Sequence, residues 1–246
     1  MGLIIAAALT TLMALVVFGK LISLLSVPSD RRVLLLALVV ALPLQPLAFY
    51  FIRLPLLHTM LPDVSAGWLR PAFLLALAPL TEEPAKWLVL LVPSIRQALE
   101  KRTAVPLALA AGLGFGIGEI WFVAHAAMTA PGFVERPFWM YGGFAFERLQ
   151  VCFLHGAFLA LPFVMYAWRR SFLLGAAAGM LCHFLLNFPI YLATVDLFGL
   201  GRAGWATILL LWVPFWVALF AAALWFVQRA VRSAERLKGP ASAEAP

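Results

Sequence analysis

The stretch Pro71–Val92, PAFLLALAPLTEEPAKWLVLLV, is long enough to cross a bilayer, because a spanning helix needs about 20 mostly apolar residues. It is interrupted midway by Glu82, Glu83 and Lys86. The same contradiction recurs downstream. Glu119 interrupts the apolar run Val105–Met128, His155 interrupts Leu149–Trp168, and His183 with Asn187 interrupts Phe172–Thr194. An ionisable side chain at mid-bilayer depth costs roughly 2.5–3.5 kcal/mol on insertion scales. A chain that carries such groups in four successive runs is expected to use them together. The pattern predicts an all-α membrane bundle with a buried polar site.

Composition supports the membrane reading. The chain has 246 residues, 64% hydrophobic and 12% charged, where soluble domains run at about 45–50% apolar and about 25% charged. Its mean hydropathy is +0.98. The net charge of +7 is explained by basic loops at one membrane face rather than by nucleic-acid binding. Three further apolar runs, Leu3–Val27, Val33–Ile52 and Trp205–Val227, bring the expected spans to seven in one bundle over residues 1–238. The first run has no basic segment before it and reads as a retained helix, not a cleaved signal. Arg53 to Arg70 reads as a loop with a short interfacial piece. Pro131 to Glu147 reads as a second loop, with Phe138, Trp139 and Tyr141 suited to headgroup level. The small, polar residues 239–246 read as a disordered tail. Cys152 and Cys182, both in apolar runs, read as buried thiols.

Charge orients the expected bundle. The loops after spans one, three and five, with the tail, hold 12 Lys and Arg; the opposite loops hold Arg53, Arg70, Arg136, Arg148 and Arg202. The positive-inside rule then places the N-terminus outside and the C-terminus in the cytoplasm. On that orientation Glu82, Glu119, His155, His183 and Asn187 all fall between the midplane and the outer face, Glu82 roughly 16 Å from the outer end of its span. Groups of one site must share a depth, whereas unrelated polar residues need not.

The residue types suggest hydrolytic chemistry. Glu82 and Lys86 are i, i+4 and Glu83 and Lys86 are i, i+3, so one carboxylate can neutralise the ammonium and leave the other as a general base. Pro79 and Pro84 free backbone carbonyls and widen the bundle for water. Glu119 closes the run Gly112-Leu-Gly-Phe-Gly-Ile-Gly-Glu119, whose pairs Gly112/Gly116 and Gly114/Gly118 allow close helix approach; the spacing does not match a nucleotide loop. His155 and His183 can shuttle a proton, ligate a metal or donate to an oxyanion. Asn187, i, i+4 from His183, points the same way. Arg148 either joins the site, pairing with Glu119 or Glu147, or anchors at the interface. His125 reads as an interfacial residue. Zinc-type Cys/His spacing is absent.

These residues resemble the PrsW family of intramembrane proteases, within the superfamily that includes the CAAX endopeptidases and bacteriocin-immunity membrane proteins. The Glu-Glu-x-x-Lys motif is matched by Glu82, Glu83 and Lys86, and the Phe-x-x-x-Glu motif by Phe115 and Glu119. The Arg-then-His motif is matched by Arg148 and His155, and the final His with Asn four residues on by His183 and Asn187. The match covers residues 71–194, one motif per span. It departs from the family pattern at Pro84 and at Ile120, where an Asn often follows the motif-two Glu.

The resemblance implies an endopeptidase in the plasma membrane of a bacterium, cutting a membrane-anchored, anti-sigma-factor-like protein on its extracytoplasmic side. In that reading Glu82 or Glu83 activates water. Glu119 and His155 position the water, or with His183 hold a divalent metal such as zinc. His183 and Asn187 stabilise the oxyanion, and Lys86 and Arg148 hold the cluster in its charge state. Two other classes fit the same residues. A proton-coupled transporter would use the Glu and His as a relay, and a non-enzymatic binding or immunity protein would use the fold as a docking surface. The sequence is silent on oligomeric state.

Overall fold

A computed structural model describes residues 1–60, 69–196 and 198–237. Those residues are helical with short connections and contain no strand. Among the described residues, six continuous helical stretches are long and apolar enough to cross a membrane: Gly2–Leu25, Pro28–Thr59, Ala104–Thr129, Phe138–Arg169, Phe172–Val195 and Gly201–Glu235. The protein is therefore a multi-pass membrane protein. The expected seventh span appears as a helix over Leu69–Trp87, which carries Arg70, Glu82, Glu83 and Lys86. The expected tail and residues 61–68 of the expected loop lie outside the described residues.

Helix α1 (Gly2–Leu25) ends where Ser26 and Val27 turn extended before Pro28, as the residue preceding a proline prefers. The second expected span is broken. Helix α2 (Arg31–Ala41) gives way to the short α3 (Leu44–Ala48), a π-helical turn over Phe49–Arg53, and α4 (Leu54–Met60). Prolines 43 and 46 cause the break, each removing a backbone donor. Helix α5 (Leu69–Trp87) runs through Pro79 and Pro84, then tightens to a 3₁₀ turn over Leu88–Leu91 before α6 (Pro93–Gln97). Helices α7 (Ala104–Thr129), α8 (Gly142–Arg169), α9 (Phe172–Val195) and α10 (Gly201–Leu237) complete the bundle.

Boundaries differ from expectation at two further spans. The last, expected over Trp205–Val227, runs from Gly201 to Leu237. Span five starts at Gly142, not Leu149, so Glu147 and Arg148 are helical rather than loop residues. Arg148 is accommodated there by its pairing with Glu119 and Glu147, while Glu147 stays exposed.

Helix α7 is the axis of the fold, packing on α8 on one side and on α1, α2 and α3 on the others. Helix α9 covers α8, α5 lies against α9, and α10 crosses α8 and α9. The glycines of α7 make the approach possible on two faces. A Cβ at Gly112 would sit 2.1 Å from the backbone of Gly156, and one at Gly116 2.7 Å from Cys152 Cα, both on α8. A Cβ at Gly114 or Gly118 would sit 2.1 Å from Leu38 O or Leu42 O, both from the α2 segment. Those carbonyls lack their usual helical donors: the Leu42 N–H turns to Val39 O, and Pro46 has no N–H to give Leu42 O. The device recurs between α8 and α9, where Pro162 frees Phe158 O and a Cβ at Gly179 would approach it to 2.9 Å.

Candidate active site

The polar residues of α5, α7, α8 and α9 meet around a cavity of about 230 Å³, lined by Glu82, Glu119, Arg148, His155, His183 and Asn187 among others. Three carboxylates and three cations organise it. Glu83 is 1% exposed, and its Oε1 accepts from Lys86 Nζ at 2.6 Å and from His183 Nδ1 at 2.6 Å. Lys86, also 1% exposed, lies with Nζ 5.2 Å from the centre of the Phe115 ring. Glu119 Oε1 accepts from Arg148 at 2.7 Å, and its Oε2 pairs with His155 Nε2 at 2.5 Å. The third pair, between Glu82 and Arg53, draws on a residue outside the four motif-bearing runs.

Arg53 closes the π-helical turn and reaches across to α5. It donates to Glu82 Oε1 at 2.5 Å, to Thr81 Oγ1 at 3.2 Å and to Ala78 O at 3.3 Å. In the sequence it counts as a loop charge that orients the bundle. A signal was present all the same. Glu82, Glu83 and Glu119 are three in-span carboxylates, while Lys86 and Arg148 supply two cations, and a buried acid without a partner is costly. Arg53 directly follows the apolar run Phe49–Ile52, with no Gly or Pro between.

Of the two carboxylates competing for Lys86, Glu83 takes it. That leaves Glu82 Oε2 facing the cavity, 3.8 Å from His183 Nε2. His183 is fixed by its Nδ1 bond to Glu83 and by stacking on Phe158, ring centroids 5.5 Å apart. Its ring lies 6.1 Å from that of His155, which meets Phe115 edge-on. Asn187 lines the cavity and makes no side-chain hydrogen bond among the described residues. Arg148 bridges Glu119 and Glu147, joining both of its alternative partners. Both cysteines are free thiols, Cys152 buried and Cys182 half-buried.

Among the described residues, the groups that could hold a metal are Glu82, Glu119 and His155, whose ligand atoms lie within 4.8 Å of one another. Glu82 stands in this set where His183 was expected; His183 bonds Glu83 through Nδ1, and its Nε2 lies 3.8 Å from Glu82 Oε2. Carboxylate oxygens and imidazole nitrogens are both zinc ligands, though the usual catalytic sets carry two imidazoles with one carboxylate rather than the reverse. Comparison with protein-family models, with characterised proteins and with solved structures gave no match.

Proposed function

We propose that the protein is an intramembrane endopeptidase of the PrsW-like kind, hydrolysing a peptide bond of a membrane-anchored protein. The observation that carries this reading is the environment of Glu82. One carboxylate oxygen is held by Arg53, and the other faces the cavity that the Glu119–His155 pair also lines. In this reading Glu82 Oε2 takes a proton from water. The hydroxide attacks the carbonyl carbon of the scissile bond, and the carbonyl oxygen becomes an oxyanion. Asn187 donates its amide to that oxyanion, and His183, held by Glu83, donates from Nε2 when protonated. Glu82 then returns its proton to the leaving amine, and the C–N bond breaks. Glu119 and His155 hold the water in line. A divalent ion such as zinc, when held by Glu82, Glu119 and His155, would polarise the water and lower its pKa.

In this reading the site lies toward the extracytoplasmic face of a bacterial plasma membrane, with the N-terminus outside and the C-terminus in the cytoplasm. The charge asymmetry supports this more strongly once Arg53 and Arg148 are assigned to the site, leaving 12 basic residues against three. The helix Leu69–Trp87 then serves as a seventh span, made tolerable by the pairing of its acids.

The test compares newly formed protein N-termini in membranes of cells carrying the wild type, Glu82→Gln, Glu119→Gln or His183→Ala at equal folded amounts. Cleavage in the wild type alone supports the reading; retained cleavage in all three sinks it. Uptake of a solute that follows a pH gradient would favour the transporter. A phenotype that survives Glu82→Gln/Glu83→Gln would favour the non-enzymatic binder.

A further inference from the structure

Helix α10 has 37 residues, about 55 Å at 1.5 Å per residue, against a hydrocarbon core of about 30 Å. Its apolar part ends at Val227, where a polar junction with the far end of α1 begins. Gln228, only 2% exposed, donates from Nε2 to Leu25 O at 2.9 Å and to Arg102 O at 3.1 Å. Arg232 donates to Leu24 O at 2.5 Å. The bonds to Leu24 O and Leu25 O satisfy carbonyls that the end of α1 would otherwise leave without donors, and the bond to Arg102 O ties in the connection before α7. They also fix the Gln228 amide, since two carbonyls demand the nitrogen on their side. Its Oε1 is therefore a buried acceptor with no partner. Gln228 lines a cavity of about 300 Å³ together with Leu25, Trp225, Arg229, Arg232 and Ser233.

We propose that this cavity binds the headgroup of an anionic phospholipid that carries hydroxyls, phosphatidylglycerol in type. Arg229, Arg232 and Ser233 hold the phosphodiester, and Gln228 Oε1 accepts from a headgroup hydroxyl. The chemistry requires both a cationic rim and a neutral acceptor, and a bare phosphate supplies no hydroxyl on an alkyl arm for the latter. A membrane lipid is favoured over a soluble phosphate because the cavity sits where the apolar part of α10 ends. Trp225, 55% exposed, lies there at the depth that interfacial tryptophans occupy. Basic pockets between membrane helices are known lipid-headgroup sites in general.

The test is native mass spectrometry of the full chain released from nanodiscs of phosphatidylcholine with phosphatidylglycerol, phosphatidic acid or neither. Retention of phosphatidylglycerol above the other two lipids is expected. Arg229→Gln should lower that retention by about fivefold, the factor one basic residue contributes at a membrane surface. Arg229 is suited to this because it is exposed and makes no hydrogen bond among the described residues. Ser233→Ala provides a second, conservative variant should the first reduce expression. Equal retention of phosphatidylcholine, or retention unchanged in both variants, would overturn the site. Phosphatidic acid held as tightly as phosphatidylglycerol would overturn the hydroxyl assignment, and displacement of the lipid by free glycerol 3-phosphate would overturn the choice of a membrane ligand.

Discussion

Glu82 and Glu83 are adjacent in sequence and differ in every hydrogen-bond partner. Glu83 is bound to Lys86 and His183, and Glu82 to Arg53 with one oxygen left toward the cavity. Spacing alone could not choose between them, because i, i+3 and i, i+4 are equally reachable on a helix. The choice depends on a cation from a different element. Arg53→Leu should therefore destabilise the protein by about 3 kcal/mol, since it leaves a buried carboxylate without its counter-charge. Adding Glu82→Gln to that variant should recover most of the loss in detergent-based thermal unfolding while leaving cleavage abolished. A double variant no more stable than the single one would show that Arg53 matters through its bonds to Thr81 and Ala78 instead. The residues of the four motifs were legible because charge inside an apolar run is conspicuous. Arg53 was not, because a basic residue at the edge of a run reads the same whether it faces water or a carboxylate.

The helices themselves were legible to within a few residues wherever the apolar run was clean, as in Ala104–Thr129 and Phe172–Val195. The errors fall where charges neutralise one another, at Glu147 and Arg148, and where prolines break a run that hydropathy reads as continuous, at Pro43 and Pro46. The spacing of the glycine pairs of α7 predicts close helix packing, and each glycine meets backbone of a neighbouring segment. Which neighbour each pair faces could not be assigned from the sequence. Gly112→Ala should cost about 1–3 kcal/mol, as overpacking does, because the backbone at Gly156 has no flexible end to yield. Gly19→Ala, with nothing within 4 Å of its added Cβ, should be neutral or stabilise by up to about 1 kcal/mol. Thermal unfolding of the two variants side by side checks both, and equal shifts would contradict the packing.

Across the whole molecule, contacts tie each end of the bundle. At one end the Met1 ammonium and the Gly2 and Leu3 amides bind Glu135 between α7 and α8. At the other, Gln228 and Arg232 of α10 bind the last carbonyls of α1. The Met1 ammonium, with the two amides, holds the Glu135 carboxyl below its ordinary value. A carboxyl lowered by folding contributes stability that is present above its unfolded value of about 4.3 and lost as pH falls through the folded one. The Gly2 and Leu3 amide resonances should accordingly shift on acidification below that range, and Glu135→Gln should remove the transition. An unchanged titration in the variant would assign it to another group. The two glycine faces of α7 also act as a phase lock. Each residue of a helix turns it by about 100°, and contacts on opposite sides forbid rotation in either sense. Glu119, one residue past Gly118, is thereby aimed as a clock hand is by its gear. One alanine inserted between Gly118 and Glu119 should swing the carboxylate out of the cavity and end cleavage while the bundle still assembles. The same insertion in the Pro131–Pro137 connection should change neither.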